Sequence, residues 1–222
     1  DSGLVLGGGY NSAEEVRFEV TGGALARNDL AWSSSQVGMS PGIAGRGYAT
    51  VYLSDTGTQM LLTGSGTFSV GVQGRGLLIV TNGASFYSVG AVNLGGYMYD
   101  TIAYDGTLGH GTIRVDGTGS SFEAAGMYVG MYSTGVVQVV RGGQLLGTDM
   151  VLGAGYFSAV PANGTNTAAY GTLTIANTNS RVDVESLKVG DLGRGEVAVS
   201  SNAVLAVLGP ITLKNSKLTV SD

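Results

Sequence analysis

Between Thr172 and Gly195 apolar and polar residues alternate in three short runs: Thr172-Leu173-Thr174-Ile175, Arg181-Val182-Asp183-Val184-Glu185 and Leu187-Lys188-Val189. A period of two is that of a strand with one buried face. Residues 177–180, Ser186 and residues 190–195 supply turn-forming side chains and glycines between the runs. This stretch therefore predicts three strands and three corners, one turn of a triangular coil.

A glycine opens each further copy. The anchors are Gly47, Gly76, Gly111, Gly135, Gly171 and Gly195. The last copy and the one between Gly111 and Gly135 are about 24 residues long, and the others run to roughly 29–36 residues. Strands are expected after the anchors at 48–53, 77–81, 112–115, 136–140, 172–175 and 196–199, with an earlier one at 16–20 that lacks its glycine. The third run also recurs, ending on glycine in Leu4-Val5-Leu6-Gly7, Val92-Asn93-Leu94-Gly95, Tyr128-Val129-Gly130 and Met150-Val151-Leu152-Gly153. The stretch from Val16 through Thr21-Gly22-Gly23 to Leu30-Ala31-Trp32 aligns with that from Val136 through Arg141-Gly142-Gly143 to Met150-Val151-Leu152. The short and long copies read as one unit without and with an insertion.

A four-residue strand cannot stand alone, and neither can one three-strand turn. Stacked turns let each strand pair above and below at about 4.8 Å and bury one common column. Leu173, Ile175, Val182, Val184, Leu187 and Val189 are expected to point into that column. The predicted architecture is all-β: a parallel β-helix of about 24-residue, three-strand turns, about seven to eight of them, with corner insertions. It is expected to run as a single segment over residues 1–222, read as a fragment of something longer.

Composition narrows the alternatives. With 43% hydrophobic and 12% charged residues the chain is too apolar for a disordered one, and 39 glycines beside 3 prolines exclude collagen. The absence of cysteine excludes disulfides and thiolate metal sites. A net charge of −5, with scattered Lys and Arg, gives no basic stripe for nucleic acid. No apolar run approaches the roughly 20 residues that span a bilayer.

The pattern Gly-Thr-Leu-Thr-Ile, then Leu-x-Val-Gly and Gly-x-Gly, best developed over residues 171–195 and followed at 111–135, resembles the repeat of bacterial autotransporter (type V secretion) passenger domains and of related PEP-CTERM-type extracellular proteins. The resemblance covers most of the chain. It implies a right-handed coil, display at the cell surface through a translocating barrel or release outside the cell, and a non-enzymatic role as adhesin or structural scaffold. Implied partners are a host cell-surface or extracellular-matrix protein or glycan, with room for self-association. No nucleic acid, no cofactor, no metal and no direct membrane insertion of this segment are expected. The alternatives are a β-helix polysaccharide-degrading enzyme and a passive stalk whose binding domain lies elsewhere.

The longer turns gain residues at one corner, at 7–15, 33–46, 96–110 and 154–170. Insertions at one corner emerge on one edge, the usual place for binding. Tyr10, Tyr97, Tyr99, Tyr104, Tyr132, Tyr156 and Tyr170 lie there among Gly, Ser and Asn, a recognition composition. The candidate ligand-binding set is Tyr10, Tyr97, Tyr99, Asp100, Tyr104, Tyr156, Phe157 and Tyr170. His110 is the only histidine, at a corner position filled by Arg46, Arg75, Thr134, Tyr170 and Arg194 elsewhere, and is read as a surface residue. Asp183 and Glu185 share an outward face beside Arg181, where the ordinary reading is a solvated ion pair. Three Gly-Arg-Gly tripeptides, beginning at Gly45, Gly74 and Gly193, read as hinges.

Overall fold

The computed structural model describes residues 5–6, 15–28, 35–37, 48–71, 74–96, 109–155 and 169–222. Among them every regular element is a strand, and every strand pair is parallel. The strands form two sheets, one of eight strands and one of eleven.

The chain visits the sheets in strict alternation. Pass 1 lays β2 (Glu15–Val20) in the first sheet and β3 (Leu25–Asn28) and β4 (Ser35–Val37) in the second, after β1 (Val5–Leu6). Pass 2 comprises β5 (Tyr48–Ser54), β6 (Gln59–Leu62) and β7 (Phe68–Val70). Passes 3 to 6 each lay one strand per sheet: β8 (Arg75–Thr81) and β9 (Ser85–Leu94), β10 (His110–Asp116) and β11 (Ser121–Val129), β12 (Thr134–Val140) and β13 (Gln144–Leu152), β14 (Tyr170–Ala176) and β15 (Arg181–Val189). Pass 7 contains β16 (Arg194–Ser200), β17 (Val204–Val207) and β18 (Ile211–Leu213), and β19 (Ser216–Ser221) follows. Each strand pairs with its counterpart one pass away.

The strands expected from alternation are all present, and the six residues expected to point inward are all buried. Val51, Leu78, Ile113, Val137, Leu173 and Val197 occupy one register line, each fully or almost fully buried. Burying a side chain of this size contributes about 1.5–3 kcal/mol. Phe86 and Phe122 are register partners whose rings stack 4.7 Å apart, and Phe68 closes on Phe86 at 5.1 Å. The columns open at the last strand, where Leu218 is 44% and Val220 is 74% exposed.

Three expectations are corrected. The corner predicted at Ser186 is a bend within β15: Glu185 and Ser186 both avoid the core, so the alternation resets without breaking the strand. In β11 the same reset falls at Ala125 and Gly126. β9 carries one extra residue there, keeps its alternation through Phe86, Ser88, Gly90 and Val92, and so shifts register against β11 between Ala124 and Gly126. In passes 2 and 7 the path splits into two strands where Gly64-Ser65-Gly66 and Leu208-Gly209-Pro210 intervene, because glycine weakens a strand interior and proline cannot donate to the ladder. Second, Ala49 and not Gly47 stands in register with Gly76, so Tyr48 and not Arg46 precedes Arg75 in the corner line. Third, Ser35–Val37, within the expected insertion, supplies the third strand of pass 1; the expected Leu30-Ala31-Trp32 lies outside the described residues.

Glycine is required where a strand of the second sheet ends. Gly130 has φ +74, and a Cβ on it would lie 2.4 Å from the backbone of Tyr170. Its amide donates to the Leu94 carbonyl at 2.9 Å, carrying the ladder past the strand end.

The register also reveals a period longer than a single pass. Val16, Gly76, Gly135 and Gly195 share one line at nearly equal intervals along the chain, with Ala49, Gly111 and Gly171 between them. At the corner entering the second sheet, passes 2, 4 and 6 place Thr58, Ser120 and Ser180 where passes 1, 3, 5 and 7 have Ala24, Ala84, Gly143 and Ala203. Each hydroxyl oxygen accepts from an amide of the preceding pass: Gly23 to Thr58 at 2.9 Å, Gly83 to Ser120 at 3.1 Å, Gly142 to Ser180 at 3.0 Å. Ser120 and Ser180 donate in turn to the carbonyls of Asp116 and Ala176, at 2.8 and 2.6 Å. The structural unit is thus a pair of passes, and the segments 38–47, 97–108 and 156–168 all follow the first pass of a pair.

Candidate functional site

Of the candidate ligand-binding residues, Tyr10, Tyr97, Tyr99, Asp100, Tyr104, Tyr156 and Phe157 lie outside the described residues. Tyr170 is described, and it stands on β14 as the first residue of a strand. The Arg194 guanidinium sits 5.6 Å from its ring centre, and its hydroxyl is hydrogen-bonded to Glu196. Burial and that bond raise the Tyr170 pKa, and the same bond helps hold Glu196 below its usual value. Tyr170 therefore belongs to a line of outward side chains that brace one another. Tyr48 with Arg75 at 5.9 Å is the same arrangement higher in the line.

His110 lies between Arg75 and Thr134 in that line, as its position among the corner residues predicts. Burial and the Arg75 charge lower its pKa, so the imidazole is neutral at pH 7. Arg181 and Asp183 form an exposed ion pair at 2.6 Å. No cluster of three or more His, Cys, Asp or Glu able to hold a metal occurs among the described residues.

The site the structure adds is a groove of about 530 Å³ on the outward face of the second sheet. Its floor follows one register line, Asn93, Tyr128, Val151 and Lys188, contributed by β9, β11, β13 and β15. Parallel to it run Ala91, Asp149 and Ser186, with Gly126 in the same line, leaving that edge low beside Tyr128. Ser186 donates to the Asp149 carboxylate at 2.5 Å. The wall is built by the corners beyond the strands, where Met131, Ala154 and Leu192 are apolar and Asp191 pairs with Lys214 at 3.2 Å.

The same pairing of passes shapes that wall. A Cβ on Gly96 would meet the Tyr132 ring at 2.7 Å, and one on Gly155 would meet Leu192 at 2.5 Å. In both pairs the short corner of the second pass covers a glycine at the point where the longer segment of the first pass departs. The groove consequently lies against the corner that carries segments 97–108 and 156–168. Sequence reasoning found this corner but not the groove, whose floor residues are far apart in the chain and meet only through register.

The chain matches no protein-family model, no curated protein and no solved structure. Among the described residues no helix is long and apolar enough to cross a membrane.

Proposed function

We propose that the two sheets close on each other as a right-handed parallel β-helix, and that the chain is a surface-displayed passenger segment acting as an adhesive scaffold. The observation that carries this reading is the strand register, which brings the residues flanking 97–108 and 156–168 to a single corner beside a groove. A stacked array of this kind presents an extended face, and repeated weak contacts along such a face add through effective concentration. Binding would be by shallow contact with a host surface protein or glycan, with no covalent step. The repeat motif at 171–195 supports the autotransporter assignment, with display at the cell surface or release outside the cell.

The test is adhesion of the isolated chain to immobilised matrix proteins and to host cells. Shortening 97–108 and 156–168 to the corner length of passes 4 and 6 is expected to abolish it while thermal unfolding stays cooperative. No adhesion in the parent would overturn the adhesive reading and leave a stalk, and unchanged adhesion in the shortened variant would overturn the assignment of binding to these segments.

A further inference from the structure

We infer that the groove on the second sheet is a binding site for an uncharged, extended oligosaccharide lying along the stack, with Tyr128 as its stacking platform. The inference deepens the adhesive reading by naming a ligand class for one surface, and it rests on that reading only for its biological role.

The floor supplies one side chain per pass. Asn93, Tyr128, Val151 and Lys188 succeed one another over three strand spacings of about 4.8 Å, a line of about 14 Å. Such a line suits a polymer lying across the strands better than a compact ligand, which needs an enclosed pocket. Tyr128 is 37% exposed between Asn93 and Val151, which are both buried, so it is the aromatic side chain that the floor offers to a ligand. A flat, partly wetted ring with a hydroxyl at its tip suits a sugar ring, which has an apolar face and a polar rim.

The polar groups fit the same ligand. A hydroxyl and carboxylate at Ser186 and Asp149 and an ammonium at Lys188 give donors and acceptors in both senses. Among the described lining residues two carboxylates, Asp149 and Asp191, stand against one cation, Lys188, with Lys214 beside Asp191. A sulfated or uronate chain would meet no excess of positive charge there, and the chain as a whole carries −5. A peptide strand is disfavoured as well. The floor is the face of a sheet whose strands are already paired on both sides, so no free edge exists there for strand addition.

The experiment is calorimetric titration of the intact chain with gluco-, manno- and N-acetylglucosamine oligomers from disaccharide to octasaccharide, with heparin as the anionic comparison. At least one neutral series is expected to bind with affinity that rises with length to a plateau. Tyr128→Ala is expected to weaken it tenfold or more, Tyr128→Phe to retain most of it, and Tyr87→Ala, on the same sheet outside the groove, to leave it unchanged. Binding of heparin alone, of no oligomer, or equally to Tyr128→Ala overturns the inference. Adhesion measured in parallel separates the two readings. Oligomer binding lost in Tyr128→Ala with adhesion intact leaves the sugar site standing and places the adhesive surface elsewhere. Adhesion without any oligomer binding removes the sugar site alone.

Discussion

At the corner entering the second sheet, the seams between successive passes are built in two ways that alternate along the chain. Within a pair, a buried hydroxyl reaches back to a backbone amide, as Ser180 does to Gly142 and Ser120 to Gly83. Between pairs, side chain meets side chain: Asn82 donates to Ser54 at 3.0 Å, and Arg141 pairs with Asp116. The first kind fixes backbone to backbone in the interior. The second is only partly buried, with Ser54 and Asp116 covered and Arg141 exposed, and carries different chemistry at each level. A pair of passes is thus the unit that resists disruption, and the junction between pairs is where this chain tolerates variation.

Deletion of whole passes separates the two kinds of seam most directly. Removing 76–134 excises one pair and joins pass 2 to pass 5 in phase. Removing 111–134 excises only pass 4, strips Gly83 of its hydroxyl partner, and brings segments 97–108 and 156–168 onto adjacent passes. Stability in a stacked array is roughly a sum of pass and interface contributions. By length alone the smaller deletion should therefore be the milder. We expect the reverse, with a lower urea midpoint and loss of a single cooperative transition for the deletion of one pass. Equal or greater damage from the deletion of a whole pair would dissolve the pair as a unit.

At the level of single residues, the corner glycines divide by pass. A Cβ on Gly142 would meet the Thr118 hydroxyl at 2.7 Å, whereas one on Gly119 meets only the Cα of Gly83 at 3.5 Å. Both have positive φ, at +89 and +83, so an alanine at either costs about 1–2 kcal/mol for the left-handed backbone. Gly142→Ala carries the added crowding and should cost about 2–3 kcal/mol in all. Urea unfolding of the two variants measures the difference. Ser180→Ala should come next, at about 1–2 kcal/mol, because it leaves the Gly142 amide without its partner. The same measurement applies, and a neutral result would mean that the hydroxyl seam contributes nothing.

The inward columns were legible in the sequence because alternation is local: Leu173, Ile175, Val182 and Val184 announce their burial within a few positions of themselves. Register is a non-local property and was legible only where composition marked it. Gly111, Gly135, Gly171 and Gly195 marked their line correctly, but among Gly42, Gly45 and Gly47 no one glycine stands out, and Ala49 took the place. The two-pass period is written in one extra corner residue and one hydroxyl per pair, too faint beside the signal of the single pass. Asn93, Tyr128, Val151 and Lys188 each stand two residues before the glycine that ends the third run, so their line was legible in the repeat. The groove was not, because the parallel line of Ala91, Asp149 and Ser186 and the corner wall meet them only once the strands are aligned. The long corner, by contrast, was visible as length.

The junction between pairs makes the last and smallest prediction, and it depends on pH. Burial pushes the Asp116 carboxyl up, but hydrogen bonds from Arg141 and Arg114 outweigh it and hold the group below the ordinary carboxylate value. A depressed folded pKa means that the unfolded chain binds the extra proton in acid. The contribution is therefore complete above about pH 4 and is lost as pH falls through the lower folded value. Asp116→Asn removes the charge, so the stability gap between parent and variant should be largest at neutral pH and should close in acid. The gap should also be smaller than that of Ser180→Ala, because both arginines are substantially solvent-exposed and screened. Arg141 has φ +52, a conformation that asparagine tolerates and that Asn82 adopts at the equivalent corner one pair earlier. Arg141→Asn therefore removes the cation without adding strain. If the ion pair is what titrates, the two variants will flatten the same acid limb of the stability curve. An unaltered acid limb in either would place the coupling between pairs in the backbone ladder alone.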